Sequence, residues 1–311
     1  MNQEKNLLFF LHDDTYLAQE LAKDLGVSLS PNRVSHFADG EVFAKPLCSV
    51  KDKRCFVVQS TSRPANDRLM ELLVFIDALK NGGASEVHLI VPYYGYARQD
   101  RIIDEADPIS ARLVAHLIEA SGASSIAFTD IHTTKILNFF ECIPAENIGC
   151  APLFGKHFQD HATKCGFDNS HVCIVSPDHG GVKRAEIFLS YFPGASLAIA
   201  DKHRPRPNRA EVMGLEGDVK DKLCIIFDDM IDTAGTVVAV SKCLYSLGAK
   251  AVFVGASHGI FSGNAVANLL GAGVKEIVVT DSIENKFDGV STITLAPLLA
   301  QYIERVIRKS E

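Results

Sequence analysis

The residues best suited to chemistry follow a buried apolar run in the second half of the chain. This run ends at Asp228 and Asp229, and a short turn over Asp232–Thr236 then leads into a predicted helix. Parallel α/β sheets bind their ligands beyond the carboxyl ends of their strands, so the turn predicts a ligand site. Its threonine hydroxyls and the amide groups of the helix N-terminus suit a phosphate.

The acidic pair restricts which phosphate compound fits this turn. Two carboxylates would repel a bare phosphate, so the ligand should also offer hydroxyl groups that donate to Asp228 and Asp229. A sugar phosphate meets both demands. The alternative is an ordinary N-capped turn, in which Asp and Thr side chains accept from the first amides of the helix.

Two further strand ends carry polar groups. Asp130 and His132 stand together after one apolar run, and Asp178 opens a glycine turn after another. The backbone amides of such a turn could cradle a diphosphate. Histidine and carboxylate groups could hold a divalent cation that bridges phosphates, with waters completing the coordination of Mg2+. His132 is equally compatible with a hydrogen-bonded histidine at a strand end, and His179 is expected to be structural.

A tyrosine-rich segment and a basic segment are the remaining candidates. Between Pro92 and Arg101, Arg98 and Gln99 stand among tyrosines, and this mixture can sandwich a purine and bind its phosphates. The alternative is a surface loop whose tyrosines pack inward. Asp201–Asn208 is a basic loop punctuated by proline, and most such loops are merely solvated. Because it follows a strand, it could also close over a polyphosphate and supply charge in the transition state.

Short β-branched runs must position these candidates. They alternate with amphipathic helical stretches, which predicts parallel sheets in an α/β fold. The predicted strands are Cys55–Gln59, Val87–Val91, Ser125–Thr129, Val172–Val175, Leu197–Ala200, Leu223–Phe227, Ala251–Ala256 and Glu276–Thr280. The predicted helices are Asp67–Lys80, Ser110–Ser121, Val237–Leu247, Gly263–Leu270 and Pro297–Lys309, the last of which could pack on either half.

The sequence also repeats itself. Three matched pairs occur in the same order: Val50–Lys53 with Val219–Lys222, Gly83-Ala84 with Gly248-Ala249, and Gly122–Asp130 with Gly273–Asp281. Matches in one order predict two copies of one α/β domain, with a boundary near Ile148. The first copy lacks the acidic pair at the equivalent turn, so the sugar-phosphate site is predicted only in the second.

The composition is that of a globular protein. Of 311 residues, 47% are apolar and 22% are charged, which argues against disorder. The net charge of −7 is not typical of a protein that binds nucleic acid through a basic surface. No apolar run has the length of a membrane helix. The eight cysteines contain no C-x-x-C pair, which is typical of reduced thiols in a cytoplasmic protein.

The chain resembles the ribose-phosphate diphosphokinase family, also called the phosphoribosyl-diphosphate synthetases. The segments that carry the resemblance, in the family's order, are Phe37–Glu41, Tyr96–Asp100, Asp130–His132, Ser176–Gly181, Asp201–Asn208 and Asp228–Thr236. The resemblance implies two similar phosphoribosyltransferase-type domains, each a mainly parallel sheet flanked by helices. The N-terminal domain is expected over residues 1–148 and could include a C-terminal helix at 298–311. The other domain is expected over residues 149–297.

The resemblance also implies a reaction. The diphosphoryl group of Mg-ATP would pass to the 1-hydroxyl of ribose 5-phosphate, giving 5-phosphoribosyl 1-diphosphate and AMP for nucleotide biosynthesis. Mg2+ is the implied cofactor, and ATP and ribose 5-phosphate are the implied small-molecule partners. The implied assembly is a homo-oligomer, a dimer or a larger particle such as a hexamer. No nucleic-acid or membrane partner is expected.

Individual roles follow from the same resemblance, motif by motif. Lys202 and Arg204 would be catalytic and would stabilise charge on the transferred group. The implied ATP-binding residues are Phe37, Asp39, Gly40, Glu41, Arg98 and Gln99. The implied ribose 5-phosphate residues are Arg204, Asp228, Asp229, Asp232, Thr233, Ala234, Gly235 and Thr236. His132 and Asp178 would be magnesium-site residues.

Two other functions share part of this pattern. A phosphoribosyltransferase has the acidic motif, but it has no evident need for a duplicated domain or for the tyrosine-rich and basic segments. A catalytically silent regulatory homologue would be expected to have lost the transition-state residues, whereas Lys202, Arg204, His132 and Asp178 are all present.

Overall fold

The computed structural model describes residues 1–12, 15–206, 209–284 and 286–309, apart from the side chains of residues 202–206 and 209–213. The chain divides into two compact units. The first comprises Met1–Ile148 and Thr294–Glu311, and the second comprises Gly149–Ile293.

The first unit is built on a sheet of five parallel strands in the order β1-β4-β5-β6-β7. A separate antiparallel hairpin, β2–β3, lies outside that sheet. The strands are β1 (Asn6–Phe10), β2 (Asn32–His36), β3 (Val42–Pro46), β4 (Arg54–Val58), β5 (Glu86–Val91), β6 (Ser125–Thr129) and β7 (Ala145–Ile148). The helices are α1 (Tyr16–Leu25), α2 (Ala65–Asn81), α3 (Ser110–Ala120) and, from the end of the chain, α8 (Ala296–Lys309).

The second unit has a seven-stranded sheet in the order β10-β9-β8-β11-β12-β13-β14. Its pairs are parallel except for β9–β10. The strands are β8 (Val172–Ser176), β9 (Ser196–Arg206), β10 (Arg209–Glu216), β11 (Leu223–Ile231), β12 (Ala251–Gly259), β13 (Glu276–Thr280) and β14 (Val290–Ile293). The helices are α4 (Ala151–Lys164), α5 (Val182–Leu189), α6 (Gly235–Ser246) and α7 (Ala265–Gly271).

These elements confirm the α/β fold class, and a strand lies at each of the eight predicted places. The central strands are buried along nearly their whole length, because helices cover the faces of a parallel sheet. The strands β1, β2, β3, β7, β10 and β14 and the helices α1, α4 and α5 were not predicted, and all five residues of β1 are buried.

The repeated tetrapeptide forms the same turn in both units. Asp52 and Asp221 both adopt a left-handed conformation, with φ of 60° and 61°. Each donates its backbone N–H to a glycine carbonyl 2.9 Å away, Asp52 to Gly83 and Asp221 to Gly248. The turn therefore connects the start of one strand to the end of the following helix in the same way in each unit.

The third repeat also has one structure in both units. Asp130 follows β6 and donates its N–H to the carbonyl of Ile148 at 3.0 Å. Asp281 follows β13 and donates to the carbonyl of Ile293 at 3.1 Å. Both acceptors are the last residues of the neighbouring strand, so β6–β7 and β13–β14 are equivalent pairs.

The final helix belongs to the first unit. α8 packs against α1, with Leu299, Ile303 and Ile307 buried. The guanidinium of Arg305 donates to the carboxylate of Glu146, which lies in β7. Apolar burial and this ion pair hold the helix on the unit that contains the start of the chain.

The expectation of a loop over Asp201–Asn208 is wrong for most of that segment. β9 continues to Arg206 and pairs with β10, while Pro207 and Asn208 lie outside the described residues. β8 bonds to β9 only as far as Ile199, so beyond that point β10 is the one strand that pairs with β9 among the described residues. Proline is tolerated in such an edge segment, because a missing N–H breaks no second ladder.

The cysteines and helices agree with the features of the sequence described above. All eight cysteines are free thiols, of which Cys55, Cys150, Cys173 and Cys224 are buried and Cys142 and Cys165 are exposed. Among the described residues, none of the helices is both long and apolar enough to cross a bilayer.

Candidate active site

The acidic pair lies in the second half of β11, near the carboxyl edge of the second unit's sheet. The strand is a continuous buried run from Leu223 to Phe227, after which Asp228 is half-buried and Asp229 is buried. Apolar residues thus anchor the strand and deliver two carboxylates to its open end, as the sequence predicted for a ligand site in a parallel sheet.

Arg184 binds both carboxylates. Its Nη1 atom donates to Oδ1 of Asp228 at 2.7 Å and lies 3.1 Å from Oδ1 of Asp229. Arg184 projects from α5, which begins immediately after the glycine turn at the end of β8. The sequence pattern did not single out this residue, although Lys183 and Arg184 form a pair of cations directly after the predicted phosphate-binding turn.

The environment raises the pKa of the Asp228 carboxyl well above its ordinary value. Burial is the main cause, and the neighbouring charge of Asp229 adds to it, while Arg184 acts in the opposite direction. Asp228 and Asp229 therefore form a closely coupled pair whose charge one guanidinium only partly compensates.

The turn after β11 leads directly into α6. Ala234 precedes the helix with φ of 62°, a left-handed conformation that is costly for a residue with a Cβ, and its side chain is buried. The first helical bond runs from the N–H of Val238 to the carbonyl of Ala234, at 2.9 Å. The chain therefore turns sharply at Asp232–Thr236 and presents the first turn of a twelve-residue helix, which favours anions.

Asp178 caps the turn that follows β8. Its Oδ1 accepts from the N–H of Gly181 at 3.1 Å, and Ser176 Oγ donates to the Asp178 carbonyl at 2.7 Å. A Cβ at Gly181 would lie 2.9 Å from Ser176 Oγ, so a larger residue there would displace the Ser176 hydroxyl from its hydrogen bond to Asp178. His179 is exposed, with Nε2 3.8 Å from Oδ1 of Asp201. The Asp178 turn thus positions α5 and its Arg184.

In the first unit, the segment Phe37–Glu41 forms the tip of the β2–β3 hairpin. The N–H of Phe37 donates to the carbonyl of Glu41 at 2.8 Å, and Gly40 adopts φ of 95°. The Asp39 carboxylate accepts from the N–H of Glu41 at 3.1 Å. The Phe37 ring is 57% exposed, although it touches Phe43 edge-on. A large exposed aromatic on a hydrogen-bonded turn is suited to contact a ligand.

Glu71, which no sequence pattern singled out, connects this hairpin to the sheet. Its buried carboxylate accepts from Gln59 at 3.2 Å and Arg68 at 3.3 Å, and it lies 2.8 Å from His12 Nε2. His36, the last residue of β2, places Nε2 at 3.8 Å. Glu71 thus joins groups that follow β1 and β4 to the strand that carries the hairpin.

The segment that carries Arg98 and Gln99 follows β5 and is partly packed inward. Tyr94 is buried against Phe128 and donates to the carbonyl of Ala111 at 3.0 Å. Tyr96 is instead partly exposed and adopts φ of 66°. Arg98 and Gln99 are exposed. Tyr94 is therefore a core residue, while the charged and amide side chains of Arg98 and Gln99 face outward, and their contact with a nucleotide stays a prediction.

The remaining predicted site residues are distributed over both units. His132 is exposed in the first unit, just after β6. Lys202 and Arg204 belong to β9 of the second unit, and their side chains lie outside the part that the structure describes. The residues that the structure brings together are therefore Asp228, Asp229 and the newly identified Arg184.

Comparison with known proteins covers nearly the whole chain. One matching family model is described as the N-terminal domain of ribose phosphate pyrophosphokinase and covers residues 7–122. Another, the phosphoribosyl synthetase-associated domain, covers residues 198–311.

Individual relatives agree with these matches. The chain is 44% identical over 303 residues to the ribose-phosphate pyrophosphokinase of Ureaplasma parvum, which covers 96% of this chain and 90% of that one. It is 41% identical over 308 residues to the enzyme of that name from Bacillus subtilis, covering 97% and 95%. The crystal structure of phosphoribosylpyrophosphate synthetase from Mycobacterium smegmatis superimposes with a TM-score of 0.88 at 36% identity, covering 98% of this chain and 99% of that one. The chain therefore belongs to the ribose-phosphate pyrophosphokinase family.

Proposed function

We propose that the chain transfers the diphosphoryl group of Mg-ATP to the 1-hydroxyl of ribose 5-phosphate, giving 5-phosphoribosyl 1-diphosphate and AMP. The observation that carries the proposal is the Arg184-bound pair Asp228 and Asp229, which directly precedes the sharp turn into α6. Acceptors for hydroxyl groups beside an anion-binding helix terminus match a sugar phosphate.

The sugar phosphate is proposed to bind in the second unit. Carboxylate oxygens of Asp228 and Asp229 would accept hydrogen bonds from ribose hydroxyls, while the turn Asp232–Thr236 would bind the 5-phosphate through amide and hydroxyl donors. Burial raises the pKa of Asp228 because it makes the ionised carboxylate unfavourable. Hydrogen bonds donated by ribose hydroxyls would stabilise that ionised form, which favours this role. Arg184 would orient both carboxylates without touching the sugar.

ATP is proposed to contact exposed groups of the first unit. Phe37, with Asp39, Gly40 and Glu41 behind it, forms the hairpin tip, and Arg98 and Gln99 face outward from the segment after β5. An aromatic ring can stack on a purine, and a guanidinium can bind phosphate oxygens through paired hydrogen bonds. Glu71 would position the hairpin and would not itself contact ATP.

The transfer step needs positioning and charge neutralisation more than covalent help. The oxygen of the 1-hydroxyl forms a bond to the β-phosphorus of ATP. The bond from that phosphorus to the oxygen bridging the α- and β-phosphates breaks, AMP leaves with the electron pair, and the hydroxyl proton passes to solvent. Lys202 and Arg204 are proposed to stabilise the charge that develops on the transferred group.

Mg2+ is the proposed cofactor, with Asp178 and His132 as candidate residues. The Asp178 carboxylate fits a cation that prefers oxygen ligands and keeps several waters, whereas an imidazole is a less usual partner for it. Bound Mg2+ would neutralise phosphate charge. The glycine turn that Asp178 caps would offer its own amide groups to phosphate oxygens.

One assay tests the reaction. Purified protein is incubated with ribose 5-phosphate and Mg-ATP, and the nucleotide product is followed over time. AMP is expected as the product. ADP would indicate transfer of a single phosphoryl group, and no turnover would favour a regulatory homologue. A phosphoribosyltransferase would consume 5-phosphoribosyl 1-diphosphate when given a base, without using ATP.

Calorimetry tests the placement of the sugar. Asp228→Asn is expected to weaken ribose 5-phosphate binding about tenfold or more while sparing ATP, because it removes a charged acceptor. Asp221→Asn is the matched control, since Asp221 is an exposed residue in the turn before the same strand. Equal loss of ATP and sugar affinity in Asp228→Asn would contradict this division of roles.

A homo-oligomer, at least a dimer, is also proposed, on the basis of the family resemblance of the Phe37–Glu41 segment. Sedimentation of active protein measures this directly, and a fully active monomer would contradict it.

A further inference from the structure

A cluster of three potential metal ligands lies in the second unit, on residues that the proposed reaction does not use. His157 and His161 are one helical turn apart on α4, so both imidazoles lie on one face of that helix. Glu276 is the first residue of β13. His157 Nε2 lies 2.7 Å from Glu276 Oε1, and His161 Nδ1 contacts Glu276 Oε2. The three ligand atoms all lie within 4.8 Å of one another.

The surroundings favour a fixed cation site. The Glu276 side chain is only 8% exposed, whereas His157 and His161 are 31% and 37% exposed. The His161 ring stacks on Phe253, which is the strand neighbour of Glu276, with ring centroids 5.1 Å apart. A buried carboxylate between two imidazoles offers a cation one anionic and two nitrogen ligands, and partial exposure of the rings gives an ion a path of entry.

This cluster is distinct from the sugar-phosphate turn. Glu276 pairs in register with Phe253, and Asp228 pairs with Ala256, three residues further along β12. The two sites are therefore offset by about 10 Å along the strand direction. In the sheet, β13 lies next to β12 on the side away from β11, so the cluster and the acidic pair lie on different strands of the unit.

We propose that His157, His161 and Glu276 bind a divalent transition-metal ion of the Zn2+ class. Two histidine nitrogens and one carboxylate oxygen form a common zinc ligand set, and two histidines four residues apart on a helix supply neighbouring positions. Mg2+ prefers oxygen ligands and waters, so this set discriminates against it. Small side-chain rotations would open the present hydrogen-bond distances to the ligand separations of about 3.3 Å that tetrahedral zinc requires.

The ion would cross-link α4 to β13. In zinc hydrolases a glutamate that acts as general base follows the first helix histidine. Here that position is Phe158, whose ring is fully buried beneath the sheet residue Gly255. The site thus lacks the base for hydrolysis among these helix positions, and binding of the ion would stabilise the second unit by linkage.

Zinc titration of matched variants tests the proposal. In His157→Gln/His161→Asn, the amide groups can still donate to Glu276, but both imidazole ligands are gone. The control is His116→Gln/His171→Asn, which changes two exposed histidines outside the cluster. After chelator treatment, full-length protein is equilibrated with Zn2+ alone, and bound zinc and the thermal unfolding midpoint are measured.

The wild type and the control are expected to hold one zinc ion more than the cluster variant. Zinc should raise their unfolding midpoint above that of the zinc-treated cluster variant. His161→Asn alone should weaken this ion about a hundredfold, since even outer partners of ligands cost 10–100-fold in affinity. Equal zinc content and equal stabilisation in the wild type, the control and the cluster variant would overturn the proposal. His157, His161 and Glu276 would then be joined only by hydrogen bonds.

Diffraction from wild-type crystals soaked in Zn2+ keeps the test independent of how the variants fold. Anomalous density between His157 Nε2 and His161 Nδ1 supports the site. Zinc density only at other residues contradicts it. Zinc bound at Asp178 or His132, the proposed magnesium residues, would remain in the cluster variant. The zinc proposal can therefore fail without any effect on the proposed reaction.

Discussion

Arg184 and Asp228 form a direct ion pair, with Nη1 of the guanidinium 2.7 Å from Oδ1 of the carboxylate. The two residues are 44 positions apart in the sequence. The same nitrogen lies 3.1 Å from Asp229, so one cation from α5 holds two carboxylates of β11 in a defined orientation. This contact links the glycine turn after β8 to the acidic pair, and it makes Arg184 a positioning residue for the proposed sugar site.

Asp228→Asn is expected to stabilise the protein at neutral pH. The folded state raises the pKa of Asp228, so the fold favours the protonated carboxyl. That contribution is fully present below the ordinary aspartate pKa of about 3.9, and it is lost as the pH rises through the raised value. Asn resembles the protonated form at every pH. Thermal unfolding from pH 4 to pH 8 should therefore show a variant that equals the wild type in acid and exceeds it near neutrality.

The control for this measurement is Asp221→Asn, which should follow the wild type at each pH. An Asp228→Asn midpoint that stays below the wild type at pH 8 would mean that the Arg184 ion pair outweighs the cost of burial.

Arg184→Met is expected to raise the KM for ribose 5-phosphate about tenfold or more, because the carboxylates lose their common donor and repel each other. Arg184→Lys should give a smaller effect, since a single ammonium replaces a planar guanidinium. Steady-state kinetics with varied sugar measure both. Lys183→Met, the same change at the exposed neighbour, is the matched control. A normal KM in Arg184→Met would remove Arg184 from the site.

Glu71→Gln is expected to raise the KM for ATP more than it lowers kcat. The buried Glu71 carboxylate accepts from Gln59, Arg68 and His12, and an amide of the same shape loses charge and turns a donor toward them. The β2–β3 hairpin tip should then be held less firmly. The effect on KM is expected to be about tenfold.

Glu119→Gln separates this role from general destabilisation. Glu119 is in the same unit and accepts from the backbone N–H groups of Cys142 and Ile143, at 2.6 and 3.3 Å. Both variants should lower the unfolding midpoint, but only Glu71→Gln should change the KM for ATP. Equal kinetics in the two variants would assign Glu71 a purely structural role.

Lys202→Ala is expected to lower kcat about a hundredfold, which is the scale for removing one preorganised charge donor from a transition state. The KM for ribose 5-phosphate should change much less. Initial rates with saturating ATP measure the effect, with Lys250→Ala as the control at an exposed lysine before β12. A kcat close to that of the wild type would identify Lys202 as an ordinary surface lysine.

Local patterns in the sequence were sufficient to predict the fold class. Runs such as Leu223–Phe227 identify buried strands because a parallel strand covered on both faces is apolar throughout. The recurrence of Val50–Lys53 at Val219–Lys222 identified the duplication, because a turn with a left-handed Asp depends on a few adjacent residues. β1 and α1 show the limit, since short buried segments near a terminus resemble other kinds of apolar run.

The features that could be predicted are therefore local: the eight predicted strands, the repeated turns and the acidic turn of the candidate site are each encoded within a few consecutive residues. The contacts between distant parts of the chain depend on tertiary packing. Arg184 meets Asp228, and His161 meets Glu276, 115 positions away, because parallel strands and their covering helices bring distant segments to a common place. A polar side chain in a helix looks much the same in the sequence whether it faces solvent or a buried carboxylate, since its partner is chosen by packing and not by its neighbours along the chain.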